Sequence, residues 1–196
     1  MSEQAPVWVV AGAPGAGKTT VADLLLPRLD PRSALLDKDV LFAGFVAEVQ
    51  AAHGRPPGER EGPWYDRHVK RHEYGGMTAA ARQIRAAGCP VLLVGPFTGQ
   101  IRDLARWREW VSALGGDPVR LVWVRCDPDT LRARLLSRRS DRDAGKLAGF
   151  DAFVTRMAPD LPPPVPHLEI DNRGVASADL REQLDRLVSG AAPGSP

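Results

Sequence analysis

A glycine-rich loop set between a short strand and a helix constrains this chain more than any other feature. Residues Gly12-Ala13-Pro14-Gly15-Ala16-Gly17-Lys18-Thr19 match the phosphate-binding loop (Walker A) pattern G-x-x-x-x-G-K-[ST] without a gap. Before them runs Val7-Trp8-Val9-Val10-Ala11, apolar and β-branched, and after them Thr20 to Leu26 reads as a helix stopped by Pro27. A loop at such a junction aims successive backbone N–H groups and the positive end of a helix dipole at one anion. Its glycines permit positive φ and close approach. Lys18 adds a point charge suited to β- and γ-phosphates, and the Thr19 hydroxyl is a ligand for Mg²⁺. Residues 12–20 are therefore read as a nucleotide site.

The rest of the chain repeats the alternation. Strands are expected at Ser33–Asp37, Val91–Val94, Leu121–Val124 and His167–Ile170. Helices are expected from about Val40 to Ala52, from Trp64 to Ala87 with an interruption at Gly75-Gly76, and from Thr98 to Leu114. Asp127 caps a further helix with Pro128 at its first position. Two more helices are expected at Phe150–Met157 and from about Ala178 to Val188. Alternating strands and helices imply an α/β fold, a parallel five-stranded sheet with helices on both faces. Residues 1–190 read as one domain, followed by a disordered tail at 191–196. In such sheets ligands bind beyond the carboxyl ends of the strands. That places the glycine loop, Asp37 to Asp39 and Gly95 to Thr98 on a single rim.

Composition narrows the function without naming it. A net charge of +2 argues against a long nucleic-acid groove and gives no reason to expect a membrane surface. No apolar run approaches membrane-spanning length, and Cys89 and Cys126 have neither a disulfide framework nor metal-ligand spacing. A cytoplasmic protein is expected. Only four of the 26 basic residues are lysines (Lys18, Lys38, Lys70 and Lys146), and arginine is the better bidentate phosphate ligand.

Asp37-Lys38-Asp39 places two carboxylates just past the second strand. One can hold Mg²⁺ through water while the other takes a proton from a substrate hydroxyl; alternatively, Asp39 simply caps the next helix. The segment from His53 to Tyr74 mixes aromatics with both charge signs. Trp64 and Tyr65 can stack on a planar or sugar-like acceptor, and Arg67, His68, Lys70, Arg71 and His72 can meet an acidic or phosphorylated one. An amphipathic helix with an ordinary polar face explains the same pattern. His68 and His72 share a spacing of four but lack the acid that a metal site needs. Trp107 and Trp110 are expected to pack on the sheet.

The loop Gly12–Thr19, the Asp37-x-Asp39 pair and the arginine-bearing segment after the fourth strand together resemble the small P-loop kinases. That group includes shikimate and gluconate kinases, chloramphenicol phosphotransferase, polynucleotide kinase and zeta toxins. The element order resembles theirs over most of the chain, with the sharp match in the first forty residues. The resemblance implies a three-layer sandwich and an ATP- and Mg²⁺-dependent kinase acting on a hydroxyl of a small acceptor. It implies that Asp39 is the general base and that Asp37, with Thr19, organises Mg²⁺ or substrate. It further implies an acceptor-binding helical region over 53–88 and a lid over 137–149. Lid residues Arg138 and Arg142 would neutralise the phosphates, with Arg134 near the adenine. The chain departs from the common pattern at the third strand, where Val94-Gly95-Pro96 carries no acid. Metal binding then falls to Thr19 and Asp37, and Gly95 and Pro96 are read as a place where substrate approaches the backbone. Other readings are a polynucleotide or nucleotide-sugar kinase and a non-kinase ATP-hydrolysing regulatory module. A GTPase is disfavoured because no N-K-x-D segment occurs.

Overall fold

The computed structural model describes residues 4–56, 58–140, 143–176 and 178–190. Five strands, β1 (Val7–Ala11), β2 (Ala34–Asp37), β3 (Val91–Val94), β4 (Val119–Arg125) and β5 (Leu168–Asp171), form one sheet in the order β2-β3-β1-β4-β5. Every neighbouring pair is parallel. The register sets Asp37 beside Val94, Val10 beside Val94 and Ala11 beside Trp123, so the carboxyl ends form one rim. The chain winds one way from β1 to β3 and the other way from β4 to β5. The crevice this reversal opens lies at the end of β1, where the glycine loop begins.

The central strands β1 and β3 are apolar throughout because both of their faces are covered. Trp8, Val10, Leu92, Val94, Val122 and Val124 face one layer. This layer is built from α1 (Lys18–Leu25), α7 (Pro128–Arg138), α9 (Phe150–Met157) and α10 (Leu180–Gly190). The alternate residues Val7, Val9, Ala11, Val91, Leu93, Leu121 and Trp123 face the other layer. That layer contains α4 (Arg71–Ala86), α5 (Thr98–Ile101) and α6 (Leu104–Ala113). This is the expected three-layer α/β sandwich, and Trp107 and Trp110 pack in it as expected. A small third cluster of Val46, Tyr65 and Val69 joins α2 (Lys38–Ala52) to the segment that follows it. Two further short helices are α3 (Pro63–Tyr65) and α8 (Ala144–Ala148).

Two expectations about helices need correction. The Gly75-Gly76 pair does not interrupt α4, because the Phe42 ring lies against Gly76, where a Cβ would stand 3.4 Å from Cζ. That packing, with the buried Met77 and Ala81, outweighs the intrinsic cost of about 1 kcal/mol per helical glycine. The irregularity falls earlier, as a π-helical turn at Asp66–Lys70 that continues α3 into α4. The helix expected over Thr98–Leu114 is two helices. Asp103 breaks it by accepting from the Ala105 and Arg106 amides at 2.8 and 3.3 Å, which caps α6. No helix among the described residues is long and apolar enough to cross a membrane. The tail at 191–196 lies outside the described residues.

Candidate active site

The glycine loop turns because three of its residues occupy backbone conformations that side chains resist. Gly12, Gly15 and Gly17 have φ of 150°, 92° and 93°. At Gly12 a Cβ would also stand 2.7 Å from the Val124 carbonyl oxygen, and at Gly17 it would stand 2.3 Å from Asn172 Nδ2. The loop is braced from behind by β5 and α7. Asn172 Nδ2 donates to the Ala16 carbonyl at 2.7 Å, and Arg134 donates to that carbonyl and to Asn172 Oδ1, each at 3.2 Å. Arg134 therefore supports the loop, and it also lines the cleft beside it.

Lys18 curls into the loop and donates from Nζ to the Ala13 carbonyl at 2.9 Å. Burial pushes its ammonium down to about 8, against the pull of Asp39 and Asp37. Thr19 Oγ1 lies 3.5 Å from Asp37 Oδ2, which brings together the two residues expected at a metal. Asp37 is also the helix cap. Its Oδ1 accepts from the Asp39 and Val40 amides at 2.8 and 3.3 Å, so the capping role considered for Asp39 belongs to Asp37. The Asp39 side chain is half exposed, with Oδ1 3.0 Å from Arg60 Nη1 and 3.4 Å from Lys38 Nζ.

These groups open onto one cleft of about 880 Å³. One end holds Pro14, Gly15, Gly17, Lys18, Thr19 and Thr20, with Arg134 and Arg138 above. The other end is walled by Arg60, Tyr65, Glu73, Tyr74, Gly95 and Pro96. Asp37, Lys38 and Asp39 lie on the shared wall. At the mouth the buried Asp143 carboxylate accepts from Arg138 Nε and Lys146 Nζ, both at 2.8 Å. Burial pushes that carboxyl up, but the bonds from Lys146 and Arg138 prevail and hold it below the usual carboxylate range.

Residues 7–159 match the AAA_33 family, described as an AAA domain. The chain belongs to that family. No curated protein matches it. Among solved structures it is similar to a candidate kinase from Chloroflexus aurantiacus, with 21% identity and a TM-score of 0.65 over 95% of this chain and 98% of that one. It is also similar to the APS kinase of Mycobacterium tuberculosis solved with AMPPNP and APS, with 19% identity and a TM-score of 0.57 over 95% and 96% of the two chains. A third likeness is to shikimate kinase from Bacteroides thetaiotaomicron, with 16% identity and a TM-score of 0.54 over 95% and 98%. The likenesses establish a kinase-like P-loop fold, in agreement with the resemblance to small P-loop kinases drawn from the sequence.

In this AAA_33 domain several residues proposed from sequence for the acceptor stand elsewhere. Trp64, Arg67, His68 and Arg71 do not line the cleft. Trp64 packs instead against His53, His68 and the Arg55 guanidinium. Helical periodicity is the reason: Tyr65, Asp66, Lys70, Glu73 and Tyr74 take the inner face, and the other set is left outside. Tyr65 lines the cleft but does not offer a stacking surface there. It is buried and donates its hydroxyl to Glu73 Oε2 at 2.6 Å. Burial and then that bond push its phenol well above the usual tyrosine range, so it remains a donor. Gly95 and Pro96 do line the cleft. A Cβ at Gly95 would stand 3.2 Å from the Phe97 ring and 3.5 Å from Lys38 Cβ, so the glycine also makes room for two side chains. Arg138 reaches the cleft, while Arg142, with Asp141, lies outside the described residues.

Sequence reasoning missed Lys38, Arg60, Glu73, Lys146 and Asn172. Lys38 stood in plain sight between two acids. Asn172 carried no local signal, since Ala16 is 156 residues away in the chain, and the ion pair of Glu73 spans 35 residues to Lys38.

Proposed function

We propose that the protein is an ATP-dependent phosphotransferase that moves the γ-phosphate to a hydroxyl of a small-molecule acceptor. One observation carries this reading: a single cleft of about 880 Å³ takes in the glycine loop, both carboxylates after β2, and Arg60, Tyr74, Gly95 and Pro96 besides. The residues also suit a magnesium ion. Thr19 Oγ1 and Asp37 Oδ2 are hard oxygen donors set side by side. Among the described residues no group of three or more His, Cys, Asp or Glu side chains is placed to hold a metal. An ion held by only one or two protein oxygens, with water and phosphate completing its shell, is the usual magnesium arrangement at phosphates. When bound, Mg²⁺ neutralises charge on the β- and γ-phosphate oxygens.

In this mechanism Lys18 releases the Ala13 carbonyl and turns its charge to the phosphates. Arg138, aimed by Asp143, adds charge to the transferring phosphoryl group. The Asp39 carboxylate accepts the proton of the acceptor hydroxyl as its oxygen bonds to phosphorus, and the bond to ADP breaks. Residues 137–149 act as the lid, and the inner face of 53–88, with Gly95 and Pro96, receives the acceptor. Asp39→Asn is the test. Acceptor-stimulated ADP release, screened over sugars, nucleosides and hydroxylated antibiotics, is expected to fall about 10²- to 10⁴-fold while Mg·ATP affinity is kept. An unchanged transfer rate would remove Asp39 as the base. ADP release that no acceptor stimulates would point to a non-kinase ATP-hydrolysing module.

A further inference from the structure

The interior side of the cleft holds a charged network that the mechanism above does not use. Glu73 on α4 has no exposed surface, yet both its oxygens are met: Lys38 Nζ stands 2.8 Å from Oε1 and the Tyr65 hydroxyl 2.6 Å from Oε2. Lys38 is the first residue of α2, and its side chain is 7% exposed. Its ammonium also stands 3.4 Å from Asp39 Oδ1, the same oxygen that Arg60 reaches from the other side at 3.0 Å. A continuous line of polar contacts thus runs from Tyr65 through Glu73 and Lys38 to the Asp39 carboxylate and ends on Arg60.

Holding α2 against α4 does not require charge. Val46, Tyr65 and Val69 already pack apolar surface between α2 and the segment leading into α4. Buried ion pairs are a costly way to join elements, and apolar side chains of similar volume often replace them with no loss of stability. What the pair supplies that apolar packing would not is direction. A lysine ammonium can donate three bonds on a flexible stem, so its position is set by what it is anchored to. Here Glu73, fixed in turn by Tyr65, is the anchor, and Lys38 delivers a cation to one named oxygen of Asp39. Gly95 supports the arrangement, since a side chain there would crowd Lys38 Cβ at 3.5 Å.

We propose that Glu73 is a positioning residue for Asp39, acting through Lys38, so that the carboxylate is gripped at Oδ1 between Lys38 and Arg60 and held in one orientation towards the acceptor hydroxyl. The functional part of this inference rests on Asp39 being the base; the geometric part does not.

The test uses the full chain with Glu73→Gln and the double variant Lys38→Met/Glu73→Met. Three things are measured: ADP-release kinetics with Mg·ATP and the best acceptor of the screen, the unfolding midpoint, and a crystal structure of E73Q. In E73Q the expected result is kcat down about tenfold to a hundredfold with KM for Mg·ATP within twofold, because a displacement of about 1 Å at a reacting group costs that much. The Asp39 carboxylate is expected to leave its contact with Lys38 in the crystal structure. The double variant has no stranded buried charge, only the Tyr65 hydroxyl left without its acceptor, and is expected to regain most of the midpoint lost in E73Q while kcat stays low. Recovery of kcat together with the midpoint would show a purely structural pair and overturn the proposal. So would an Asp39 carboxylate in E73Q that keeps both contacts at their present distances. Should the wild type release no ADP with any acceptor, the phosphotransferase reading fails by itself, and the E73Q crystal structure still decides whether Glu73 sets the Asp39 orientation.

Discussion

Replacing Gly17 with alanine probes the joint between the phosphate loop and the sheet. Gly17 stands at the cap position just before α1 with φ 93° and ψ 24°, a left-handed conformation that costs alanine about 1 kcal/mol more than glycine. The new Cβ would also stand 2.3 Å from Asn172 Nδ2. That atom ends a movable side chain, so the collision is relieved by rotating the Asn172 amide away. Rotation gives up its bonds to the Ala16 carbonyl and to Arg134, about 1 kcal/mol each. The total is about 3 kcal/mol, or a fall of roughly 6–12 °C in midpoint for a domain of this size. A double-mutant cycle isolates the collision. With Asn172→Ala in place those two bonds are already gone and nothing remains to strike, so G17A should then cost only about 1 kcal/mol for its backbone strain. Urea unfolding of the four proteins measures a coupling of about 2 kcal/mol between the sites. Equal costs for G17A in both backgrounds would refute the reasoning, because they would mean that Asn172 does not occupy the space behind the loop.

Two further outcomes follow from buried cations. Burial lowers Lys18 to about 8, so before nucleotide binds the folded protein sheds this proton at a pH where the unfolded chain keeps it. Stability from this group therefore rises with pH between about 8 and the ordinary lysine value. A triphosphate restores the charged form, so Mg·ATP binding at pH 8 should take up protons and weaken as pH climbs further. Calorimetry in two buffers of different ionisation enthalpy measures the uptake, and K18M should abolish it; no uptake in the wild type would show that Lys18 does not face the phosphates. Arg85, 2% exposed, donates to the carbonyls of Ala5, Leu114, Gly116 and Pro118, tying α4 to the turn before β4. Arg85→Met strands those acceptors and should cost about 3 kcal/mol, seen as a midpoint roughly 6–12 °C lower; a shift within about 2 °C would mean that water replaces the guanidinium without penalty.

Much of the site could be read locally. The glycine loop, Lys18, Thr19 and the Asp37-x-Asp39 pair act through neighbours within a turn or at strand ends on the same rim, and strand ends are legible from apolar runs. The acceptor wall was not legible in the same way. Choosing among Trp64, Tyr65, Arg67, His68 and Arg71 required the rotational phase of a helix, and the π turn at Asp66–Lys70 shifts that phase. The Gly75-Gly76 pair misled because Phe42, more than thirty residues earlier, packs on it. Asp103 was a missed signal of the ordinary kind, a helix cap inside a run that otherwise reads as continuous.

The sequence by itself determined that this chain builds alternating parallel strands and helices with an anion cradle after the first strand. Those features follow from side-chain period, β-branching and the φ that glycine allows, which depend on near neighbours. Only the tertiary structure decided that Asn172 and Arg134 brace the cradle, that Asp37 and not Asp39 caps α2, and that Lys38 turns inward to Glu73. Each of these depends on which buried polar group finds a partner, and that choice is made between distant segments once the sheet has brought them together.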